Sequence, residues 1–438
     1  MIKISQPWKE VHDEWTYLKA KVSIDSKDAE SYVEYCNLPD NYSCVKYIDK
    51  EYVNTISGEG ELWFSVNNKY GTGLCDDRAD AFVVSLLHYA MVSGADISVE
   101  GYLSTELLYN IRTEIVPHLC TGQFKPIRIN ALHETDMPAE LNRCAATGMS
   151  CGIDSFYSLW RNTKEDIPDN YRIRYLTFFN VGAINTVISD SVTLDRRNQM
   201  MYAISIEKAK NAEIISKEYN DVDFVFLNSN ISDYYRGMLV NSAHYRNCGA
   251  AMALQNLWNV YYYSSAGFRP DDVKYDLCDD PAYHEEMLCS CLSNGTIRFY
   301  PAGHALNRVQ KTMAISDFPI AQKYLTVCDN NENCGRCNKC KRTIATLFAI
   351  GKIDSFRERF EVSDINSHIL YWKVYIFLKK RDHYYEEIYD VANERGLYTF
   401  LLKMMLYPIE FIVFYLRKLR IYKKWRVRKY KNRTQLVD

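Results

Sequence analysis

From about residue 140 the chain alternates short apolar runs with longer helical patterns, and this alternation constrains the fold more than any other feature. Residues 143–148 (RCAATG), 174–181 (RYLTFFNV), 223–227 and 260–264 read as buried strands. Residues 156–162, 198–219 and 247–257 read as the helices between them. Parallel neighbours need a crossover connection, usually a helix, so the pattern predicts an α/β doubly wound parallel sheet. Ligands of such sheets bind in the crevice beyond the carboxyl ends of the strands. The loops leaving the strands are therefore where chemistry is expected.

The first of those loops reads Ser150-Cys151-Gly152-Ile153-Asp154-Ser155 and sits between a strand and a helix. A loop without bulky side chains lets backbone N–H groups approach phosphate oxygens, and the helix that follows adds its positive N-terminal end. Ser150 and Ser155 offer hydroxyl donors, and Asp154 is the carboxylate placed to help hold Mg²⁺. A Walker A loop would need GxxxxGK[ST], a string this sequence lacks. The alternative is an ordinary β-to-α turn that happens to spell SxGxDS.

Farther on, Cys328, Cys334, Cys337 and Cys340 place four thiols within thirteen residues, with Gly335 after the second. Thiolates at that spacing reach one tetrahedral Zn²⁺. The first two dozen residues carry Trp8, Lys9, Glu10, Asp13 and Glu14 where a secretory leader has an apolar core. A reducing cytoplasm is the expected compartment, which favours zinc over disulfides. The other cysteines are scattered and read as small buried hydrophobes.

The hexamer resembles the SGGxDS signature of the PP-loop ATP pyrophosphatases, with Cys151 standing where the first glycine is usual. The order of SxGxDS, then Arg308-Val309-Gln310-Lys311, then CDNNENCGRCNKCKR closed by Arg342, resembles the 7-cyano-7-deazaguanine synthases, the QueC-like branch of that superfamily. The resemblance covers about 140–352. It implies ATP cleavage between the α and β phosphates and adenylation of a carboxylate such as 7-carboxy-7-deazaguanine. Ammonia, or an amine on a protein or nucleic acid, would then displace AMP. It further implies that Ser150, Cys151, Gly152, Ile153, Asp154, Ser155, Arg308 and Lys311 handle ATP and Mg²⁺, with Asp154, Ser155 and Lys311 carrying the chemistry. Phe179 and Asn180, at the end of the second strand, match the adenine contact, and the four cysteines match a structural zinc. The family also occurs in bacterial defence contexts.

Outside that stretch the sequence says less. Residues 19–24, 43–48 and 61–66 alternate as short strands, 77–92 and 103–114 read as helices, and 127–130 as a strand. These describe an α+β region over 1–135, ahead of an ATP-binding domain over 136–352 and a helical region over 353–438. Asp76, Asp77 and Asp80 suggest either a metal or, more commonly, an acidic helix N-terminus. The 35 tyrosines suit cores and interfaces alike. Residues 365–379 and 384–415 read as helical and aromatic, and Pro408 and Glu410 interrupt a run too short to span a bilayer.

Residues 417–433 hold ten Lys or Arg, with Tyr422, Trp425 and Tyr430 among them. Such a run suits polyphosphates, bases or a headgroup layer, and equally a solvated tail.

Three functions follow from these motifs. The first is an AMP-forming C–N ligase. The second is a tRNA sulfurtransferase that uses Cys151 or a cluster thiol, with the basic tail holding RNA. The third is a degenerate nucleotide-binding module acting through interactions.

Overall fold

The computed structural model describes residues 1–37, 53, 56–120, 124–136, 143–163, 166–183, 193–219, 222–235, 240–267, 281–330, 332–361 and 367–418. Two compact units divide the chain, Met1–Lys311 and Thr312–Asp438. The first is built on eleven strands: β1 (Ile2–Ser5), β2 (Trp8–His12), β3 (Trp15–Ile24), β4 (Gly58–Asn67), β5 (Ile97–Ser104), β6 (Ile129–Thr135), β7 (Ala145–Gly148), β8 (Ile173–Asn180), β9 (Asp223–Ser229), β10 (Val260–Ser264) and β11 (Arg298–Ala302). They form one sheet in the order β11-β10-β7-β8-β9-β4-β3-β1-β5-β6, with β2 beside β3.

The block β11-β10-β7-β8-β9 is parallel throughout. Its first strand in the chain, β7, lies at the centre. The chain winds outward through β8 and β9 on one side and returns to wind through β10 and β11 on the other. The direction of winding reverses between β7 and β10, which is where open α/β sheets form their ligand crevice. Helices cover both faces. On one, Asp80–Ser93 and Ala243–Ala253 pack with Ala146, Tyr175, Val225, Tyr261 and Phe299 in a large core. On the other lie Ile153–Arg161 and Leu194–Glu218, whose buried Ile153, Phe156, Leu159 and Ile215 stand outside that core.

The expected boundaries at 135 and 352 are not where the compact units divide. β4 pairs antiparallel with β9, so the amino-terminal strands extend the same sheet rather than forming one of their own. The antiparallel reading of 19–24 and 61–66 matches β3 and β4, while 43–48 lies outside the described residues. The helix Asp80–Ser93 is buried on every side, which explains its unbroken apolar run, and Gly94 ends it in the left-handed conformation. Many tyrosines are core. Tyr32 stacks on Tyr89 at 4.2 Å between ring centroids, and the Tyr235 hydroxyl donates to the Ser85 carbonyl at 2.7 Å.

The three early aspartates do not converge. Asp76 pairs with Lys9 at 2.9 Å, Asp77 accepts from Arg78, and Asp80 is buried and accepts from the Ser104 amide and Asn294.

In the second unit, the helices Asn338–Ile350, Ile369–Lys379, Glu386–Glu394 and Phe400–Lys418 pack together. No described helix is long and apolar enough to cross a membrane.

Candidate functional site

β7 ends at Gly148, and the Met149 amide still donates to the Thr177 carbonyl of β8 at 2.8 Å. The chain then leaves the sheet through Ser150, Cys151 and Gly152 and enters the helix Ile153–Arg161. Cys151 is held at φ +60°, in the left-handed region, with its side chain 3 % exposed. That backbone costs a side-chain-bearing residue about 1–3 kcal/mol, so the turn has the shape a glycine would give without strain. No side chain caps the helix at Gly152. Its first amides, lacking acceptors within the helix, carry the positive end of its dipole. Ser150 Oγ donates to Ser155 Oγ at 3.3 Å, and Ser155 Oγ donates to the Gly152 carbonyl at 3.0 Å.

Asp154 joins this loop to residues far along the chain. Its carboxylate accepts from Arg308 Nη1 at 2.7 Å and lies 3.5 Å from Lys311 Nζ. Arg308 and Lys311 are one turn apart on the helix Arg308–Ile315 and so project together. Lys311 is fully buried, and its ammonium donates to the Ser265 carbonyl at 2.7 Å. Ser265, just past β10, donates through Oγ to Glu285 Oε2 at 2.5 Å and accepts from the Gly267 amide at 3.0 Å.

Two glycines in left-handed conformation make the slot for the lysine. A Cβ on Gly303, at φ +81°, would lie 2.9 Å from Lys311 Cε and 2.7 Å from Tyr157 Cε1. A Cβ on Gly267, at φ +84°, would lie 3.2 Å from Lys311 Nζ. These glycines follow β11 and β10, so Lys311 is seated at the carboxyl ends of the strands beside the reversal point.

Two of the charged groups here, Lys311 and Glu285, are buried from solvent. Burial pushes the Lys311 ammonium below the usual lysine range, against the pull of Asp154 and Glu285. Burial pushes the Glu285 carboxyl up to about 7, opposed by the Ser265 hydroxyl and the Lys311 charge. The arrangement is a preformed cluster of two cations and two carboxyl groups around a tight loop.

Asp154, Arg308 and Lys311 are thus brought together. Ser150 and Ser155 bond one another beside them. Phe179 packs against Tyr261 with ring centroids 5.8 Å apart. Asn180 is 5 % exposed, donates to Asn228 Oδ1 at 2.7 Å and accepts from Ser205 Oγ at 2.9 Å. Ser265 and Glu285 are members that sequence reading missed. Ser265 directly follows a strand it recognised, whereas no pattern marks Glu285. A cavity of about 360 Å³ lies along the far part of the helix Ile153–Arg161, lined by Ser158, Arg161, Tyr171, Tyr262 and Ala302, the residue before Gly303.

The thiol cluster lies in the second unit. The sulfurs of Cys328, Cys334, Cys337 and Cys340 all fall within 4.8 Å of one another. Cys328 Sγ is 3.5 Å from Cys334 Sγ and 3.8 Å from Cys337 Sγ. Four sulfurs about 2.3 Å from a central Zn²⁺ would stand roughly 3.8 Å apart, so the cluster has the size of a tetrahedral metal site. Cys337 caps the helix Asn338–Ile350, its sulfur accepting from the Cys340 amide at 3.4 Å, and Gly335 turns at φ +67°. The Cys334 thiol is lowered to about 6, chiefly by the Arg336 amide donating to its sulfur. These four residues could hold a metal such as zinc.

No family profile, curated protein or solved structure matches this chain.

Proposed function

We propose that this chain is an ATP-dependent, AMP-forming ligase of the PP-loop kind. Its QueC-like features would suit it to adenylate a carboxylate such as 7-carboxy-7-deazaguanine and pass the acyl group to ammonia or an amine, including one on a protein or nucleic acid. The observation that carries this reading is the convergence of Asp154, Arg308 and Lys311 on the loop Ser150–Ser155 at the reversal point of the sheet.

In the first step a carboxylate oxygen attacks the α-phosphorus, and the bond to the bridging oxygen of pyrophosphate breaks. In the second, nitrogen attacks the acyl carbon, the bond to AMP breaks, and nitrogen loses a proton. No side-chain nucleophile is needed. The loop amides and Lys311 hold the phosphates and offset charge that develops as pyrophosphate leaves. Asp154, with the Ser150 and Ser155 hydroxyls, supplies the oxygen donors that suit Mg²⁺. Mg²⁺ bound there would neutralise phosphate charge. Arg308 steadies the Asp154 carboxylate, and Glu285 acts on the site through Ser265 and through its field on Lys311. The four cysteines would hold a structural Zn²⁺ whose binding contributes to folding.

A carboxylate-dependent exchange of labelled pyrophosphate into ATP tests this reading. The proposal predicts exchange that requires both Mg²⁺ and the carboxylate; its absence across a panel of aryl and heteroaryl carboxylates would sink it.

The second reading is sulfur transfer, favoured by one observation: Cys334 reaches solvent. Alkylation under mild conditions separates the two. A closed metal site leaves all four thiols unmodified, whereas a sulfur carrier is modified and inactivated.

A further inference from the structure

The helix Phe400–Lys418 is packed inside out. Its only acidic residue, Glu410, is 2 % exposed and accepts from Arg381 Nε at 2.8 Å and Nη2 at 3.1 Å. The face it turns to solvent is apolar: Phe400, Leu401, Met404, Met405, Phe411 and Ile412 are between 54 % and 76 % exposed. Their positions form two adjacent rows, 400-404-411 and 401-405-412, at helical spacing. A helix on a protein surface ordinarily carries charged and polar residues there, and a contiguous apolar patch marks an interaction site.

The helix Ile369–Lys379 runs alongside in the same direction. Phe377 meets Tyr407 at 5.3 Å between ring centroids, and the Arg381 guanidinium sits 4.4 Å from the Phe414 ring centroid. That pairing sets the exposed Ile369, Leu370 and Tyr371 at the same end as Phe400 and Leu401.

Charge decides what covers this face. Residues 417–433, which begin at the end of the helix, hold ten Lys or Arg and no Asp or Glu, with Tyr422, Trp425 and Tyr430 among them. A nucleic acid would satisfy the cations and leave the apolar face bare. A second copy would bury the apolar face but bring two like-charged runs together. A bilayer with anionic lipid satisfies both, because acyl chains take the apolar face, the headgroup layer suits Trp and Tyr, and lipid phosphates attract Lys and Arg. We propose that the exposed face of the helix Phe400–Lys418, with the basic segment that follows it, binds the surface of an anionic lipid bilayer. The helix lies on the bilayer and does not cross it: Lys403 and Glu410 fall within its length, and Glu410 is tied to Arg381.

Flotation of the full chain with phosphatidylcholine vesicles, with and without phosphatidylglycerol, tests this. The expected result is binding to the mixed vesicles, weakened by salt, and much less to phosphatidylcholine alone. The double variant Met405→Glu with Ile412→Glu should weaken that binding at least about tenfold, the scale of a large apolar side chain kept out of an apolar layer. A second pair, Phe400→Ser with Leu401→Ser, is read in the same way and guards against a folding defect in the first. Failure of the wild type to float with any vesicle overturns the proposal. So does equal binding by both double variants, which would leave the basic segment acting alone. A wild-type dimer that the variants convert to monomer, without flotation, would assign the face to a second copy instead.

Discussion

The thiol cluster and the phosphate-type loop are assembled in opposite ways. The cluster is local: its four cysteines come from thirteen consecutive residues, and helix capping by Cys337 and the turn at Gly335 set their geometry. The loop site is assembled by topology. Asp154 follows β7, Ser265 follows β10, the Gly303 turn follows β11, and Arg308 and Lys311 stand on the next helix. A local site survives or fails with one short segment, whereas a topological site depends on the whole parallel block. The two should therefore respond differently to damage.

The largest effect is expected at Asp154. Asp154→Asn keeps the side-chain shape but removes the charge shared by Arg308 and Lys311, and AMP formation should fall to background while the metal content of the cluster stays at the wild-type value. A variant with wild-type turnover would break the proposed division of labour. The reciprocal change, Cys337→Ser, should release metal and lower stability by on the order of 5 kcal/mol, a fraction of the binding energy of a four-thiolate zinc site. Metal analysis under reducing conditions, with thermal melting, reads both outcomes. A serine variant as stable as wild type would show that the cluster is not a structural metal site.

Glu285 reports on the loop site alone, because its state depends on the buried surroundings there. Its folded pKa of about 7 lies above its ordinary value of 4.5, so the folded chain holds this proton more tightly than the unfolded chain. The stabilising contribution is fully present below pH 4.5 and is lost as pH rises through about 7. The wild type should lose up to about 3 kcal/mol over that window from this group, and Glu285→Gln should flatten the slope. Denaturant melts across that window check it; an unchanged slope in the variant would remove Glu285 from the account. The smallest effect is at Cys151. Cys151→Gly relieves a left-handed backbone but loosens the unfolded chain, so a net gain of about 1 kcal/mol is expected. A loss on chemical denaturation would mean that the buried thiol contributes packing that outweighs the strain.

How far each region was legible in the sequence follows the same division. Spacing alone located the cluster, since Cys328, Cys334, Cys337 and Cys340 need no distant partner. The hydrophobic runs at 174–181, 223–227 and 260–264 located β8, β9 and β10, because strands of a parallel sheet with helices on both faces carry apolar residues on both sides. β11 (RFYPA) passed unnoticed because its burial alternates and it contains a proline, which fits the edge of the sheet where it lies. The union of the amino-terminal strands with the parallel block was also hidden. It rests on the pairing of β4 with β9, a long-range register that local periodicity does not encode. Ser265 and Glu285 were missed for the same reason: their role exists only where the strand ends converge on Lys311. The inverted face of the helix Phe400–Lys418 was legible only as an apolar run, because which side Glu410 takes is fixed by Arg381.

The fate of ATP tests the proposed ligase chemistry most directly. Purified chain should be incubated with Mg²⁺, labelled ATP and 7-carboxy-7-deazaguanine or a related carboxylate, with Lys311→Ala in parallel, and the nucleotide products separated. The account predicts AMP and pyrophosphate in equal amounts, formed only with the carboxylate present. It predicts a rate reduced on the order of tenfold to a hundredfold in Lys311→Ala, the scale of one lost charge-assisted contact. ADP and inorganic phosphate as the products, or AMP formation indifferent to Lys311, would contradict it.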